Sequence, residues 1–312
     1  MKTKWTNNVN IRGYLFSTER LEKRTSQKGV EYIGGTINIA TDEDCMNVVP
    51  VNFSYVTSTY KNGNANATYQ LLESIINGET KTYEVAGKDA ARLRVDGDIE
   101  VNDWINRDGV AVANHRVRGS FAHLLNAGET FGNTPAHFEA DMLIQSAVMK
   151  ESADGSEYMT LSGFVFNFRS ELLPVNFSVA SESGMKFFED QDISSSNPYL
   201  GKVWGDIKTT VVTTTTEQDA SEVGFGAPEV KTSSKSFRTW EVSGANVNLG
   251  LDEATITMEE LKAAMENRAK VLADVRARYE ARNGGNSFGN SAPAVAAPTP
   301  KAKAVSPADF NF

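Results

Sequence analysis

Residues 9–16 (Val-Asn-Ile-Arg-Gly-Tyr-Leu-Phe) alternate apolar and polar positions, the period-two pattern of a half-buried strand. Residues 36–40 repeat that alternation, and 48–55 are rich in β-branched and aromatic side chains that suit a pleated surface. Asn62-Gly63 then marks a turn. Residues 67–76 change period: Leu71, Leu72, Ile75 and Ile76 fall on one side of a helix that Asn77-Gly78 ends. Two further strands are predicted over 91–101 and 110–124. The order is three strands, a helix, then two strands. A second series follows, with strands over 138–149, 158–168, 172–179, 201–213 and 237–247 and a short helix near 184–191. Between its last two strands lie the threonine-rich residues 209–216 and then Gly224-Phe225-Gly226, a pattern that fits a projecting hairpin.

The two series share words as well as order. Val49-Pro50-Val51-Asn52-Phe53-Ser54 returns as Leu173-Pro174-Val175-Asn176-Phe177-Ser178, at an offset of 124. Gly29-Val30-Glu31-Tyr32-Ile33 matches Gly155-Ser156-Glu157-Tyr158-Met159, Gly97-Asp98-Ile99 matches Gly205-Asp206-Ile207, and Val117-Arg118-Gly119 matches Val242-Ser243-Gly244. Four matches in one order point to an internal duplication. The expected units are 1–130 and 131–250.

Past them, Thr257 and Glu260 form a capping box. Met258, Leu261, Met265, Arg268, Leu272, Val275 and Tyr279 then recur at spacings of three and four, predicting a helix within 251–283. One polar member and about three heptads favour packing against the body over a coiled coil. Residues 284–312 are rich in Gly, Ser, Ala and Pro and are expected to be disordered, yet they end in Asp309-Phe310-Asn311-Phe312.

Charge and chemistry narrow the function. The net charge of −9 argues against a protein basic all over, while leaving room for a local basic groove. The one cysteine, Cys45, excludes an internal disulfide and reads as a buried, inert thiol on the rim of a strand. No apolar run approaches membrane-spanning length, and residues 1–12 lack the apolar stretch of a signal peptide. A cytoplasmic location is expected, with the sequons at Asn52, Asn66 and Asn176 unglycosylated. Gly87-Lys88 resembles the end of a phosphate loop, but Asp89 stands where Ser or Thr would bind magnesium. His115, His123 and His137 form no metal motif, and no nucleophile elbow occurs. No enzyme, cofactor or metal is expected.

Five strands with a helix after the third is the order of the OB-fold. On Asn8-Val9-Asn10-Ile11-Arg12-Gly13, Gly109-Val110-Ala111-Val112-Ala113-Asn114, the two Pro-Val-Asn-Phe segments and the terminal phenylalanine, the chain resembles single-stranded DNA-binding proteins of bacteria and phages. That resemblance implies an all-β fold of two tandem OB-like five-stranded barrels, followed by a C-terminal helix and a disordered tail. It implies sequence-nonspecific binding of single-stranded DNA in phage replication or recombination, in the cytoplasm of a bacterial host. It also implies a tail whose Asp309, Phe310 and Phe312 dock on replication or recombination partners. The chain departs from the family in having two domains, a single acid in the tip and an inserted helix. The alternative is a virion structural or assembly protein built from duplicated β-domains, and a homo-oligomer is compatible with either.

Stacking on bases needs aromatic faces, and phosphates need cations. Copy one offers Tyr14, Tyr32, Phe53, Tyr55, Trp104 and Phe121, with Arg12, Arg24, Lys28, Arg92, Arg94, Arg116 and Arg118 near them. Copy two offers Lys202, Trp204, Arg238 and Trp240. Phe164, Phe166 and Phe168 share one face of an alternating strand, so all three are expected in the core or all three outside, with core favoured.

Overall fold

The protein is described here by a computed structural model of residues 5–126, 128–152, 155–217, 230–250 and 256–283; along 210–217 and 230–236, and at 283, it describes backbone alone. The first half holds β1 (Asn7–Thr25), β2 (Glu31–Ala40), β3 (Val48–Thr57), α1 (Ala67–Ile76), a one-turn α2 (Tyr83–Ala86), β4 (Arg92–Ile105) and β5 (Ala111–Leu124). The second holds β6 (Ala136–Glu151), β7 (Glu157–Phe166), β8 (Leu172–Val179), α3 (Glu182–Glu189), β9 (Tyr199–Glu217) and β10 (Val230–Ala245), and α4 (Met258–Asn283) follows.

Strand pairing closes on itself twice. In the first half β1 pairs β2, β2 pairs β3, β3 pairs β5 in parallel, β5 pairs β4, and β4 returns to β1. In the second half β6–β7, β7–β8, the parallel β8–β10, β10–β9 and β9–β6 repeat that order. We call these ring one and ring two.

β1 makes the closure possible. It is longer than the alternation at 9–16 announced, because its second half, Ser-Thr-Glu-Arg-Leu-Glu-Lys-Arg-Thr, is polar and reads as a loop. Register shifts after Leu15 and after Glu19 bend it, with Arg20 in the left-handed region at φ 51°. Bulges of this kind let one strand turn a corner. Residues 9–14 therefore pair β4, while 14–25 pair β2. On the edge β2 leaves free, Asn7 to Ile11 pair antiparallel with β6, which joins the rings in one ten-stranded sheet. The repeated Gly-Asp-Ile has a packing reason: a Cβ at Gly97 or Gly205 would collide with the carbonyl oxygen of Arg118 or Glu241 on the neighbouring strand.

The Pro-Val-Asn-Phe repeat sends Val51 and Phe53, and likewise Val175 and Phe177, into the interior, while its asparagines face outward. One cluster of buried side chains runs unbroken from Val9 and Phe53 in ring one to Phe177 and Trp240 in ring two. Asn47 adds a stitch between rings: its amide donates to the Ile207 carbonyl (3.0 Å) and accepts from the Thr209 N–H (2.8 Å).

α1 starts where Asn66 accepts from the N–H groups of Thr68 and Tyr69, and Asn77 caps its end. α3 covers 182–189, two residues earlier than the periodicity indicates, because Ser181 supplies the N-cap. At α4 the capping box forms as expected, with Thr257 N–H to Glu260 (3.1 Å) and Glu260 N–H to Thr257 Oγ1 (3.2 Å). Leu261 is buried on the outside of ring two with Leu143, Phe166, Leu172 and Leu200, and Met265 packs at its edge. Further along, Arg268 holds Asp103 of β4 with two bonds of 2.5 Å. The helix thus docks on the body and touches both rings.

The phenylalanine trio is split, a correction to the all-or-none expectation. Phe166 is buried and stacked on Trp5 at 4.1 Å, Phe164 is half-buried, and Phe168 is 62% exposed with Arg169 over its ring. β7 ends at Phe166, so the alternation no longer governs Phe168. Cys45 is also corrected: it is half-buried in the β2–β3 loop at φ 55°, and burial raises its pKa. The β9–β10 hairpin is long, as expected; Gly224-Phe225-Gly226 and residues 284–312 lie outside the described residues. Among the described residues no helix is long and apolar enough to cross a membrane.

Candidate nucleic-acid interface

On ring one, the outer face of β2 and β3 carries an aromatic pair. Tyr32 and Tyr55 lie 4.4 Å apart, and Tyr55 is 51% exposed. Simple alternation from Val51 and Phe53 would turn Tyr55 inward. A register shift beside Gly34 adds one residue to β3 there, so Val56 faces the core and Tyr55 faces solvent. Arg24 is the β1 partner of Tyr32, and its guanidinium bonds Glu22. Lys28 stands exposed in the β1–β2 turn. Three expected contacts, Arg24, Lys28 and Tyr55, thus gather at the β2–β3 face and the turn beside it, while Trp104, 45% exposed, stands near the end of β4 opposite Val112 of β5.

A second group forms on the outer face of β1 and β4, where Arg12 is opposite Arg94 and Tyr14 opposite Arg92. Tyr14 meets Phe131 edge-on at 5.0 Å and Tyr83 at 5.4 Å, and the Arg92 guanidinium sits 5.0 Å over Phe131. Arg92 also donates to the Glu129 carbonyl, which fixes it against that ring. Arg12 donates to the Asn10 amide oxygen (3.2 Å) and has no carboxylate partner among the described residues. Arg94 is bound to Asp96 (2.9 Å).

Other expected contacts are occupied by the protein itself. Arg116 pairs with Glu100 (3.0 Å) and Arg118 with Asp98 (2.6 Å), because β4 and β5 place each arginine opposite an acid. Burial raises the Asp98 carboxyl's pKa despite the arginine, and Arg118 is shifted up by Asp98 against its own burial. In ring two Lys202 pairs with Glu139 (2.6 Å). Trp204 is half-buried, its indole lying over Gly244 where any Cβ would collide with it. Trp240 is no platform: it is 3% exposed, stacked beside Phe177 at 5.9 Å and against Phe138 at 5.2 Å. Flanking polar residues suggested an exposed ring, but strand parity puts Trp240 inside.

Beside Trp240, ring two has a cavity of about 320 Å³. His115 of β5 enters it from ring one and meets Trp240 at 5.3 Å and Phe177 at 5.8 Å. Burial pulls the His115 imidazole down to about 4, so it is neutral at ordinary pH. Lys150, Asn176 and Arg238 share the lining with His115, and none of the lining residues is Asp or Glu. Burial lowers the pKa of Arg238, partly offset by Glu19.

Tyr83, Phe131, His115, Lys150 and Asn176 were not among the expected site residues. Asn176 had a signal, since the repeated Asn sits between two inward positions; Tyr83 and Phe131 come from a one-turn helix and a loop, where no periodicity speaks. The proposed docking residues Asp309, Phe310 and Phe312 lie outside the described residues. Among the described residues no group of three or more His, Cys, Asp or Glu could hold a metal ion.

A family model described as YorF matches residues 6–278, from the first strand to near the end of α4. The chain belongs to the YorF family. No curated protein matches it. Among the solved structures that resemble this YorF-family chain are two of one bacterial protein. The wild-type single-stranded DNA binding protein from Thermus aquaticus superposes with a TM-score of 0.46 at 13% identity, over 80% of this chain and 96% of that one. A deletion variant of the same Thermus aquaticus protein gives a TM-score of 0.45 at 13% identity, over 79% and 96%.

Proposed function

We propose that this protein binds single-stranded DNA without sequence preference, and that rings one and two are tandem OB-type barrels, each a domain, followed by α4. The observation that carries the reading is the exposed Tyr32–Tyr55 pair on the outer face of β2–β3, with Arg24 and Lys28 beside it. In a five-stranded Greek-key barrel that face and the turns next to it are where oligonucleotides lie. Tyrosine faces stack any base, and cations track the backbone, so such a surface favours unpaired strands without reading sequence. Tyr14, Phe131, Arg12 and Arg92 supply a second surface of the same composition on β1–β4. The process served is phage DNA replication or recombination, with Asp309, Phe310 and Phe312 as the partner-docking tip. Against the rival reading, a structural virion protein would have no use for a carboxylate-free cationic cavity in a chain with 40 acidic residues.

Titrating the full chain with oligo-dT while following intrinsic tyrosine and tryptophan fluorescence tests this. Quenching that saturates at low salt and weakens as salt rises is expected from counterion release. No quenching at any salt would refute the reading.

A further inference from the structure

We propose that the cavity between His115 and Arg238 is a seat for a phosphate group of the bound strand, formed only where the two rings meet. The inference rests on the single-stranded DNA reading and adds to it a site that the aromatic faces do not include.

Three observations lead there. The first is charge. Most other cations near the expected surfaces are already matched: Arg94 to Asp96, Arg116 to Glu100, Arg118 to Asp98 and Lys202 to Glu139. Lys150 and Arg238 make no ion pair among the described residues, and no acid lines the cavity they share. Lys150 and Arg238 are both exposed, with Glu19 acting on Arg238 only through its charge, so an anion seated between them gains charge-assisted hydrogen bonds.

The second is donor chemistry. Around the two cations stand the Asn176 amide and the hydroxyls of Thr160, Ser162 and Thr239, which can donate to phosphate oxygens. Ser178 is excluded from that set while its hydroxyl donates to the Trp240 carbonyl (3.4 Å). The floor is the Phe177 ring and the edge of Trp240, whose faces are taken, so the cavity suits an anion better than a stacked base.

The third is construction. The corresponding place in ring one is filled. There Arg118 faces Asn52 across the parallel β3–β5 pairing, and Asp98 neutralises it. In ring two the parallel pairing sets Ser178 opposite Glu241, and the β10 residues that line the cavity, Arg238, Thr239 and Trp240, have Thr209, Lys208 and Ile207 opposite them on β9, so no acid on the neighbouring strand is paired into the site. Instead, His115 is delivered by ring one, and its neutral imidazole brings a hydrogen-bonding group without adding an acid. A strand passing over this cavity would be gripped at the junction of both rings.

The test uses the full chain and the variant K150Q/R238Q, whose side chains lie at the cavity rather than in the core. Binding of labelled dT30 is measured by anisotropy across a salt series. Single-stranded DNA gives a log–log salt slope of about −0.7 per neutralised phosphate, so losing the cations of this one seat should make the slope shallower by about 0.7. An unchanged slope with intact wild-type binding overturns the phosphate seat and leaves the DNA reading standing. A wild type that fails to bind dT30 overturns both. Inorganic phosphate, added alone while the His115 imidazole is followed by NMR, separates the sources. No shift at millimolar phosphate, with a shift on adding dT30, supports a strand phosphate. Saturation by free phosphate, with no further shift on adding dT30, assigns the cavity to a small anion and overturns the proposal.

Discussion

Replacing Arg268 by Met tests how α4 is held. Arg268 and Asp103 have side chains only 11% and 9% exposed and meet through two bonds of 2.5 Å. Removing one partner of such a pair leaves a buried charge and costs about 3–5 kcal/mol. The helix has an escape that caps the loss: its second half can leave β4 while Leu261 stays buried on ring two, an anchor worth about 1.5–3 kcal/mol. R268M should therefore speed amide hydrogen exchange in α4 beyond residue 268, while the segment around Leu261 stays protected. Urea unfolding should fall by less than the full cost of an unpaired carboxylate. The double variant D103L/R268M should recover most of the lost stability, because removing both charges together is often neutral. Unchanged exchange in α4 with R268M, and a stability change under about 0.5 kcal/mol, would refute the claim that this pair docks the helix.

Two further outcomes follow from local geometry. His115 takes a proton near 6.5 in the unfolded chain but only near 4 in the folded one, so the unfolded state binds more protons between those values. Stability should fall as pH drops from about 6.5 toward 4, by about 3 kcal/mol at most from this group; urea titrations of wild type and H115F should show the loss flattened in the variant. A Cβ at Gly244 would strike the Trp204 indole, so G244A should cost about 1–3 kcal/mol in thermal unfolding, and an unchanged Tm would show that the indole does not need that space.

Much of the architecture was readable because burial forces it. Alternation marked most of the strands, and the repeat Pro-Val-Asn-Phe identified the matching strands β3 and β8, since Phe53 and Phe177 must both face inward. The capping box and the three-four stripe located α4 and its docking side through Leu261. What periodicity missed is where strands bend. Polar residues hid the second half of β1, although its bulges are what join β4 to β2. The same limit shaped the site. Tyr55 was a reasonable choice from its composition, but only the slip beside Gly34 explains why it faces out. Trp240, chosen for its polar neighbours, is core because position 240 falls on the inward parity of β10. Arg116 and Arg118 looked like free cations along one strand; their carboxylate partners sit on β4, a pairing that no local window contains. The cavity was out of reach for the same reason, since His115 and Arg238 are far apart in the chain and meet only across the ring junction.

The central claim is that the Tyr32–Tyr55 face takes up the bases of an unpaired strand. The direct measurement is the affinity of wild type and Y32A/Y55A for dT30 and for a 30-base-pair duplex, at one fixed salt. The account predicts a clear wild-type preference for dT30 and a loss in the variant of about 1–3 kcal/mol for each base unstacked, with duplex binding little changed. Equal affinity of wild type for both ligands, or a variant that binds dT30 as tightly as wild type, would contradict it.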